Sequence, residues 1–473
     1  MREILTGHFI FRAATDRGLQ SRFIYLCDDM DPLRKVYPFL NETYSRYVGW
    51  PLCRIPAPEG EGTYSEYFLR PFLETLDILN VRVDVIRTSH LYREGKFEDA
   101  IDTVMKRASR IRELLENISG REIEENWSPY NPVCEKCGRI NTTSVTSYSR
   151  PFVYYSCKCG HSGRADIRTD SGKLPWRIEW PAKWKILNVT VEPFGKDHGA
   201  PGGSYDTGKA IAEEIFSITP PKPLTYERIL LKGKGAMHSS TGIAIAASEM
   251  IRFAPPEILR FLIARSNPGR HIDFDPGEGL INLIDEYERF RDIYFGLEKS
   301  DDSEARRIYE LSRIREERPE DVVRFRHLIT LVQIYKDEGQ LFAALKRGGY
   351  SPDALTSELR NEIGLARAWV ARYAPEQMKF SILPPDTPVE LSEQQKDIVR
   401  AFINEAPAID WSAETIHNTL HDLIRKSGID AKAGFGTFYR ILIGKDRGPR
   451  LGYFLANLDR GWVMERLRKA VSL

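Results

Sequence analysis

Two kinds of segment alternate in the first part of the chain. In one kind the apolar residues have helical spacing, and in the other they form a short continuous run. Segment 2–16 has helical spacing, and the apolar run RFIYLC at 22–27 that follows it predicts a buried strand. A second strand is predicted at 81–86, and apolar residues three and four apart over 104–118 predict a helix that stops at Gly120. Helices that alternate with buried strands are typical of an α/β fold.

The pattern changes past the middle of the chain. A strand predicted within 185–198, with Ile186 and Leu187 in it, is followed by a helix through 210–216 and a further strand within 227–235. From residue 241 onward we expect no more strands, because the apolar spacing there is helical, as at 255–265, 281–294 and 322–335.

Two signals near the end of the chain predict a separate helical module. The Pro-rich segment 383–391 reads as a linker, and Ser412 before AETIHNTLHDLIRK has the position of a helix N-cap. With 473 residues, the chain fits roughly two to four domains.

Composition limits the class of protein. Hydrophobic residues make up 42% and charged residues 29% of the chain, which is ordinary for a globular protein. There is no apolar run near the roughly twenty residues that span a bilayer and no secretory signal, so we expect a cytoplasmic protein without membrane contact. The net charge of +1 leaves any nucleic-acid binding to local basic patches.

Four of the six cysteines form two closely spaced pairs, Cys134 with Cys137 and Cys157 with Cys159. Four thiolates so arranged can complete a tetrahedral, structural Zn²⁺ site with no open position for water. His161 could replace Cys159 as a ligand, and a set of unmetallated cysteines or a redox pair is the alternative.

Two polar loops follow predicted strands. The glycine-rich turn at 195–209 places Asp197 and His198 at the carboxyl end of a strand, where ligands bind in open α/β sheets, or else it is a surface turn with a helix cap. The loop at 231–242 combines lysines, glycines and hydroxyls suited to a polyphosphate, with an interdomain linker as the alternative.

Three tryptophans stand four residues apart at Trp176, Trp180 and Trp184. Pro175 and Pro181 argue against one continuous helix through them. Their rings either pack a core or form the wall of a ligand pocket.

Taken in order, these segments resemble class I lysyl-tRNA synthetase along nearly the whole chain. The strings that carry the resemblance are DDMDPLRKVYPFL at 28–40, NPVCEKCGRI at 131–140, GKLPWRIEWPAKW at 172–184, EPFGKDHGAPGGSYDTGK at 192–209, and PPEILRFLIAR with RHIDFDPG within 255–277. The resemblance implies a Rossmann-type α/β catalytic domain at 1–125 and 172–245, a zinc-binding insertion at 126–171, a helical connective domain at 246–382 and an all-α anticodon-binding domain at 383–473.

The resemblance also implies an activity. ATP with Mg²⁺ would activate lysine as lysyl-adenylate, and the lysyl group would then pass to tRNA-Lys. The residues implied for ATP binding are Gly195, Asp197, His198, Gly202 and Met237. Those that we expect to bind lysine are Trp176, Trp180, Glu192 and Tyr226, together with His198.

A lysine-containing loop of the KMSKS type is matched here by AMHSS at 236–240. Ala236 and Thr241 stand where many relatives carry lysine, so we expect Lys234, with Lys232 beside it, to supply the charge. Ser239 and Ser240 keep hydroxyl donors for the phosphates, and we expect them to be catalytic with Lys234.

The family opens with a buried strand and a HIGH-type signature just before an Arg-Glu pair such as Arg2–Glu3, and this sequence starts immediately after that place. A sheet without a central strand would leave backbone groups and apolar side chains uncovered. Loss of one preorganised donor to the reacting phosphate costs about 3 kcal/mol. We therefore expect the natural chain to begin upstream.

Aromatic and basic residues in the final module suit unstacked anticodon bases, although helix packing is the alternative for each aromatic. They are Phe435, Phe438, Tyr439, Lys432, Arg440, Lys445, Arg447 and Arg450. Three other functions stay open: a non-catalytic synthetase-like protein that binds tRNA or lysine, a glutamyl- or glutaminyl-type synthetase, and a zinc-ribbon RNA-binding protein.

Overall fold

The structure is a computed structural model that describes residues 1–120, 122–124, 127–237, 245–315, 322–350 and 356–472. The chain forms two compact units. One consists of Met1–Ser248 with Leu262–Asp273, and the other of Glu249–Phe261 with Phe274–Leu473.

The first unit mixes helices and strands. Its helices are α1 (Arg2–Asp16), α2 (Tyr64–Ile78), α3 (Thr88–Arg93), α4 (Glu98–Lys106), α5 (Ala108–Ser119), α6 (Trp176–Leu187) and α7 (Ser204–Ala210), the last continued by a π-helical turn at Ile211–Ile215. Its strands are β1 (Ile24–Cys27), β2 (Asp84–Arg87), β3 (Asn131–Pro132), β4 (Thr143–Ser149), β5 (Phe152–Cys157), β6 (Ser162–Asp166), β7 (Gly172–Lys173), β8 (Val191–Gly195), β9 (Lys222–Tyr226), β10 (Ile229–Leu231) and β11 (Gly235–Ala236). Strand β12 (Ile272–Phe274) has its first two residues in this unit.

Parallel strand pairs confirm the predicted α/β character of this unit. Strand β1 pairs with β2 with Ile24 opposite Asp84, and β8 pairs with β9 with Gly195 opposite Tyr226. The connections run through helices, as parallel pairing requires. Strand β9 was not predicted, because the lysine and proline in KPLTY dilute its apolar pattern.

Helix α6 corrects two predictions. Ile186 and Leu187 are its last residues, so the strand predicted within 185–198 begins only at Val191. The expected break is also wrong, because Pro175 occupies the N-cap, where the absent N–H removes no helical hydrogen bond, and the helix continues through Pro181. The tryptophans thus share one helix.

Other differences are smaller. The helix predicted over 104–118 is divided between α4 and α5, which meet at Arg107, and it ends at Gly120 in a left-handed conformation as expected. The expectation that no strand follows residue 241 is wrong, since β12 pairs along β10.

Helices build the second unit. They are α8 (Ala247–Met250), α9 (Pro256–Ala264), α10 (Glu278–Phe295), α11 (Ser303–Ser312), α12 (Phe325–Ile334), α13 (Glu338–Arg347), α14 (Ser357–Arg372), α15 (Glu393–Glu405), α16 (Ala413–Ser427), α17 (Ala431–Ile443), α18 (Leu451–Asn457) and α19 (Arg460–Ser472). Helices α8 and α9 have residues in both units, because the chain passes from one unit to the other within each of them. The predicted cap is confirmed, because the Ser412 hydroxyl accepts the Thr415 backbone N–H.

The last five helices share one apolar core that includes Phe402, Leu420, Phe438 and Phe454. This core agrees with the prediction of a terminal helical module after the Pro-rich segment. Across the described part of the chain, no helix is long and apolar enough to cross a bilayer.

Candidate active site

The three tryptophans of α6 form a continuous aromatic row. The centroids of Trp176 and Trp180 lie 5.0 Å apart, and those of Trp180 and Trp184 are also 5.0 Å apart. Residues four apart lie on the same face of a helix, which explains the row. Trp184 packs in a core with Phe194 of β8, so the rings serve as core at one end and as a surface at the other.

Glu192 of β8 lies against this row and is held by indole groups. Trp180 Nε1 donates to Glu192 Oε1 at 2.6 Å, and Trp184 Nε1 donates to Oε2. Among the described residues no lysine or arginine forms a salt bridge with this carboxylate. Burial raises the pKa of Glu192 to about 7, although the two indole donors act in the opposite direction.

A second carboxylate lies close by. Repulsion from Glu3 of α1 adds to the upward shift of the Glu192 pKa. Glu3 Oε2 accepts the Tyr226 hydroxyl at 3.1 Å. Burial raises the pKa of Tyr226, which keeps this hydroxyl protonated and able to donate.

Arg2 fastens the start of α1 beside these carboxylates. Its guanidinium lies 5.7 Å from the centroid of the Tyr226 ring. The same group donates to the backbone carbonyls of Glu227, Arg228, Asn267, Pro268 and Arg270. Glu3 is therefore held in place by its neighbour in the sequence.

The turn that follows β8 is tied to the segment before β10 by two ion pairs. Lys196 Nζ lies 2.7 Å from a Glu227 carboxylate oxygen, and Arg228 Nη2 lies 2.6 Å from Asp197 Oδ2. The ring centroid of His198 lies 5.1 Å from that of Trp176. The structure thus brings His198, Trp176, Trp180 and Glu192 together.

Close packing explains the glycines of this turn. Gly202 has a φ of +69°, and an added Cβ would lie 2.7 Å from the carbonyl oxygen of Ile118. The Gly202 N–H already donates to Asp206 Oδ2 at 2.9 Å. Gly202 therefore shapes the turn, while its own N–H is engaged within the protein.

The second predicted loop begins as a hairpin. Strands β10 and β11 pair with Leu231 opposite Gly235, and Lys234 lies exposed in the turn between them. The Met237 N–H donates to the Ile229 carbonyl at 3.3 Å. Ser239 and Ser240 lie outside the described residues.

The cysteine pairs meet as their spacing predicted. The Sγ atoms of Cys134, Cys137, Cys157 and Cys159 all lie within 4.8 Å of one another, and none forms a disulfide. The Sγ distances are 3.7 Å for Cys137–Cys157 and 3.7 Å for Cys134–Cys159. His161 is outside this group, with its Nε2 4.0 Å from the Glu135 carboxylate.

The two remaining cysteines stand apart from this cluster. Burial raises the pKa of Cys27 to about 11 and that of Cys53 to about 12. Both thiols therefore stay protonated at neutral pH, which disfavours metal binding or nucleophilic chemistry.

Comparison with known proteins decides the family. The family model described as tRNA synthetases class I (K) matches residues 1–315, and the one described as an anticodon binding domain matches residues 375–471. The lysine–tRNA ligase of Picrophilus torridus is 56% identical over 472 residues, which cover 100% of this chain and 93% of that protein. The lysine–tRNA ligase of Archaeoglobus fulgidus is 45% identical over 475 residues, again covering 100% and 93%.

The chain belongs to the class I lysyl-tRNA synthetases. It is an ATP-dependent lysine–tRNA ligase with a class I catalytic domain and a helical C-terminal anticodon-binding domain. A solved glutamate–tRNA ligase from Elizabethkingia meningosepticum, in complex with its amino acid, is 12% identical with a TM-score of 0.44, covering 100% of this chain and 95% of that one.

Family membership decides among the functions left open by the sequence. Lysine–tRNA ligases match along the full chain, which disfavours a glutamyl- or glutaminyl-type synthetase and a plain zinc-ribbon RNA-binding protein. The same matches support catalysis over a synthetase-like protein that only binds.

A buried charge cluster that no sequence pattern indicated lies beside the tryptophan row on helix α6 of this lysyl-tRNA synthetase. Glu179 has 0% exposure and accepts Lys183 Nζ at 2.9 Å, Lys173 Nζ at 3.2 Å and the Tyr92 hydroxyl at 2.7 Å. Burial alone would raise the pKa of Glu179, but the two ammonium groups outweigh it and lower the pKa to about 2.

The same lysines reach the segment after β1. Lys183 pairs with Asp28 and Lys173 pairs with Asp31. Helix α6 is thereby joined to the carboxyl end of β1. Lysine and glutamate four apart on a helix usually mark a solvated face, so periodicity could not find this cluster.

Proposed function

We propose that the tryptophan row of α6, with Glu192, Glu3 and Tyr226, binds the lysine substrate. Lysine carries two ammonium groups on an apolar four-carbon stem, so its pocket requires carboxylate or carbonyl acceptors and an apolar wall. The observation that supports this most is the Glu192 carboxylate, which accepts two indole N–H groups and forms no ion pair with a cation of the described residues.

The two carboxylates of the proposed site match the two ammonium groups of lysine in number. Glu192 and Glu3 each offer an acceptor for one of the two ammonium groups, and the Tyr226 hydroxyl orients Glu3. The ring faces of Trp176 and Trp180 suit the apolar stem of lysine and the ammonium group at its end. His198 closes the row beside Trp176.

ATP is proposed to bind at the turn after β8. Gly195, Asp197, His198 and Gly202 build that turn, and the two ion pairs that tie it to residues 227–228 hold it against the hairpin that carries Lys234. Met237 belongs to the same proposed nucleotide site, and Ser239 and Ser240, which lie outside the described residues, stay candidates from the sequence alone. Because the Gly202 N–H is engaged by Asp206, we assign Gly202 a shaping role only.

The chemistry requires positioning and charge stabilisation more than acid–base groups. Class I synthetases use ATP and Mg²⁺, and Mg²⁺ would shield the phosphates. A lysine carboxylate oxygen attacks the α-phosphorus, the bond to the β-phosphate oxygen breaks, and pyrophosphate leaves. A hydroxyl of the terminal tRNA ribose then attacks the lysyl carbonyl, and AMP leaves. Lys234 is proposed to offset the charge that develops on the phosphates.

The four cysteines are proposed to hold a structural Zn²⁺. A tetrahedron with Zn–S bonds of about 2.3 Å has sulfur atoms about 3.8 Å apart, close to the 3.7 Å distances in this cluster. One cysteine pair follows β3 and the other lies at the end of β5, so the ion would join these two parts of the zinc-binding insertion proposed at 126–171. The purified protein should contain about one zinc ion per chain, and removal of the ion with a chelator should lower the melting temperature. An unchanged melting temperature without zinc would contradict the assignment.

The terminal module, 383–473 in the proposed division of the chain, is assigned to anticodon binding of tRNA-Lys. A cavity of about 490 Å³ opens there, lined among others by His417, Phe435, Tyr439, Arg450 and Tyr453. The His417 and Phe435 rings lie nearly parallel with centroids 5.8 Å apart. Aromatic faces beside a guanidinium suit an unstacked base.

Not all candidate residues of this module face the cavity. Phe438 is fully buried in the core, which agrees with its packing alternative. Lys445 donates to the backbone carbonyl of Glu376 at 2.8 Å, and Arg440 lies 3.6 Å from Asp446. Phe435, Tyr439 and Arg450 therefore remain the better candidates.

Pyrophosphate exchange tests the lysine site. With tRNA present, exchange should depend on lysine and not on glutamate. Glu3→Gln should raise the lysine KM about tenfold or more and leave the ATP KM unchanged, because a hydrogen bond to a charged group is lost. Glu113→Gln on α5 is the matched control for removal of an exposed carboxylate. An unchanged lysine KM in Glu3→Gln would refute this part of the proposal.

A further inference from the structure

An exposed aromatic group stands in the loop between β1 and α2. The rings of Tyr37 and Phe39 are stacked, with centroids 5.5 Å apart and an interplanar angle of 3°. Phe68 of α2 lies 5.4 Å from Phe39. Phe39 is 60% exposed and Phe68 is 41% exposed. We call Tyr37, Phe39 and Phe68 the aromatic platform.

The platform rests on a small core of its own. Leu33, Leu40, Tyr44, Ile55 and Tyr64 are buried together beneath this loop. The packing holds the loop in one conformation without using the platform's outer faces. Exposed rings on a well-packed base are typical of a binding surface.

One cation contacts the aromatic platform, and others are exposed on the same loop and on α2. Lys35 Nζ lies 5.6 Å from the Tyr37 ring centroid and the Arg46 guanidinium 4.6 Å from that of Tyr47. Arg70 is also exposed. Within the described ranges these three form no ion pair, while Arg34 lies 4.0 Å from Asp31 and is 77% exposed. The platform therefore combines exposed stacking faces with one adjacent ammonium group, that of Lys35.

Topology places the platform at the ligand side of the catalytic unit. The loop leaves the carboxyl end of β1 and returns through α2 to the parallel strand β2. In open α/β sheets ligands bind outside the carboxyl ends of the strands. The platform therefore lies on the same edge as Asp28, which pairs with Lys183 of α6.

We propose that the aromatic platform stacks the unpaired nucleotides at the 3′ end of tRNA. Aromatic faces and cations bind single-stranded nucleic acid without reading its sequence. The proposed function requires the terminal ribose to reach the lysyl-adenylate, and this inference rests on that requirement. The 3′ end is the unpaired strand that must approach this edge.

Binding of two tRNAs tests the platform. In the full chain, Phe39→Ser should weaken binding of intact tRNA about fivefold to a hundredfold, the loss expected for one stacked base. Binding of the same tRNA without its unpaired 3′ nucleotides should be equal in native and variant protein. Phe39→Trp should retain the native affinity, and Leu19→Ser, which alters an exposed apolar residue at the end of α1, should change neither.

The outcomes separate this inference from the proposed function. If Phe39→Ser lost the same affinity for both tRNAs, or lost none, the proposed stacking on the platform would be wrong. It would also be wrong if Phe39→Ser changed the oligomeric state and left tRNA binding unaltered. The affinity for lysine, measured by calorimetry, should be unchanged in Phe39→Ser. Failure of the native protein to bind lysine would refute the proposed lysine site and leave the comparison of tRNA affinities intact.

Discussion

Two glutamates beside helix α6 have opposite surroundings. Glu179 lies on the inner face with two lysines and a tyrosine, while Glu192 lies against the tryptophan row with indole donors. Their pKa values move in opposite directions, to about 2 for Glu179 and to about 7 for Glu192. Both carboxylates are removed from bulk water, so burial alone does not explain the contrast.

The difference lies in where the countercharge comes from. Glu179 obtains its cations from within the chain and serves as an anchor for α6. Glu192 forms no ion pair with the described residues, so its ionised form is destabilised until a cation arrives. A desolvated carboxylate without an internal partner is therefore a better indicator of a cation site than a buried ion pair is.

The largest expected effect is on folding. Glu179→Gln should lower the free energy of unfolding by about 3–5 kcal/mol, because Lys173 and Lys183 lose their shared buried countercharge. Urea unfolding followed by circular dichroism measures it. Glu192→Gln is the matched control and should not lower stability at pH 8. Equal losses in the two variants would contradict different roles for the two carboxylates.

Stability should depend on pH with opposite signs at the two sites. The lowered pKa of Glu179 contributes stability above its unfolded value of 4.5 that is lost as pH falls toward about 2. The raised pKa of Glu192 contributes stability below 4.5 that is lost as pH rises through about 7. Urea unfolding of the native protein and of each Gln variant across this pH range measures the two contributions.

The next effect is on lysine binding. Glu192→Gln should weaken lysine binding about tenfold to a hundredfold, because the lost contact is a charged hydrogen bond. Titration calorimetry at pH 8 measures it, with ATP binding as the internal control. Native lysine affinity in this variant would show that the carboxylate does not face the substrate.

These contrasts show what the sequence could predict. The cysteine spacing predicted the cluster of four thiols because such pairs have few geometric solutions. Glu192 was proposed as a lysine ligand because it lies in a strand next to the GKDH turn, and this assignment stays a prediction. Glu3 was missed because no sequence pattern connects it with Glu192, and only the packing of α1 on β8 brings the two carboxylates near each other.

Other features could not be predicted for physical reasons. Glu179 and Lys183 have the spacing of a solvated helix pair, and only the surrounding packing makes them a buried anchor. Pro181 argued for a break in α6, but tertiary packing of the tryptophan row outweighs the one helical hydrogen bond that proline removes.

The pH dependence of lysine binding should sharpen the comparison. In the proposed site, lysine binds the ionised form of Glu192, so the affinity for lysine should fall about tenfold per pH unit as pH drops below about 7. Calorimetry in buffers of different ionisation enthalpy should detect proton release on binding near pH 7. Glu192→Gln should remove both effects. A flat profile in the native protein would contradict an unpaired carboxylate at this site.

The smallest effect concerns the donors that hold Glu192. Trp184→Phe keeps an aromatic ring but removes the N–H that donates to Glu192 Oε2. Without it the ionised form loses a hydrogen bond, so the pH midpoint of lysine binding should rise and the affinity at pH 7 should fall about fivefold. Trp176→Phe is the matched control, because Trp176 stacks on Trp180 without donating to Glu192 in the described structure. If both variants shifted the midpoint equally, ring packing and not the indole donor would set the charge state of Glu192.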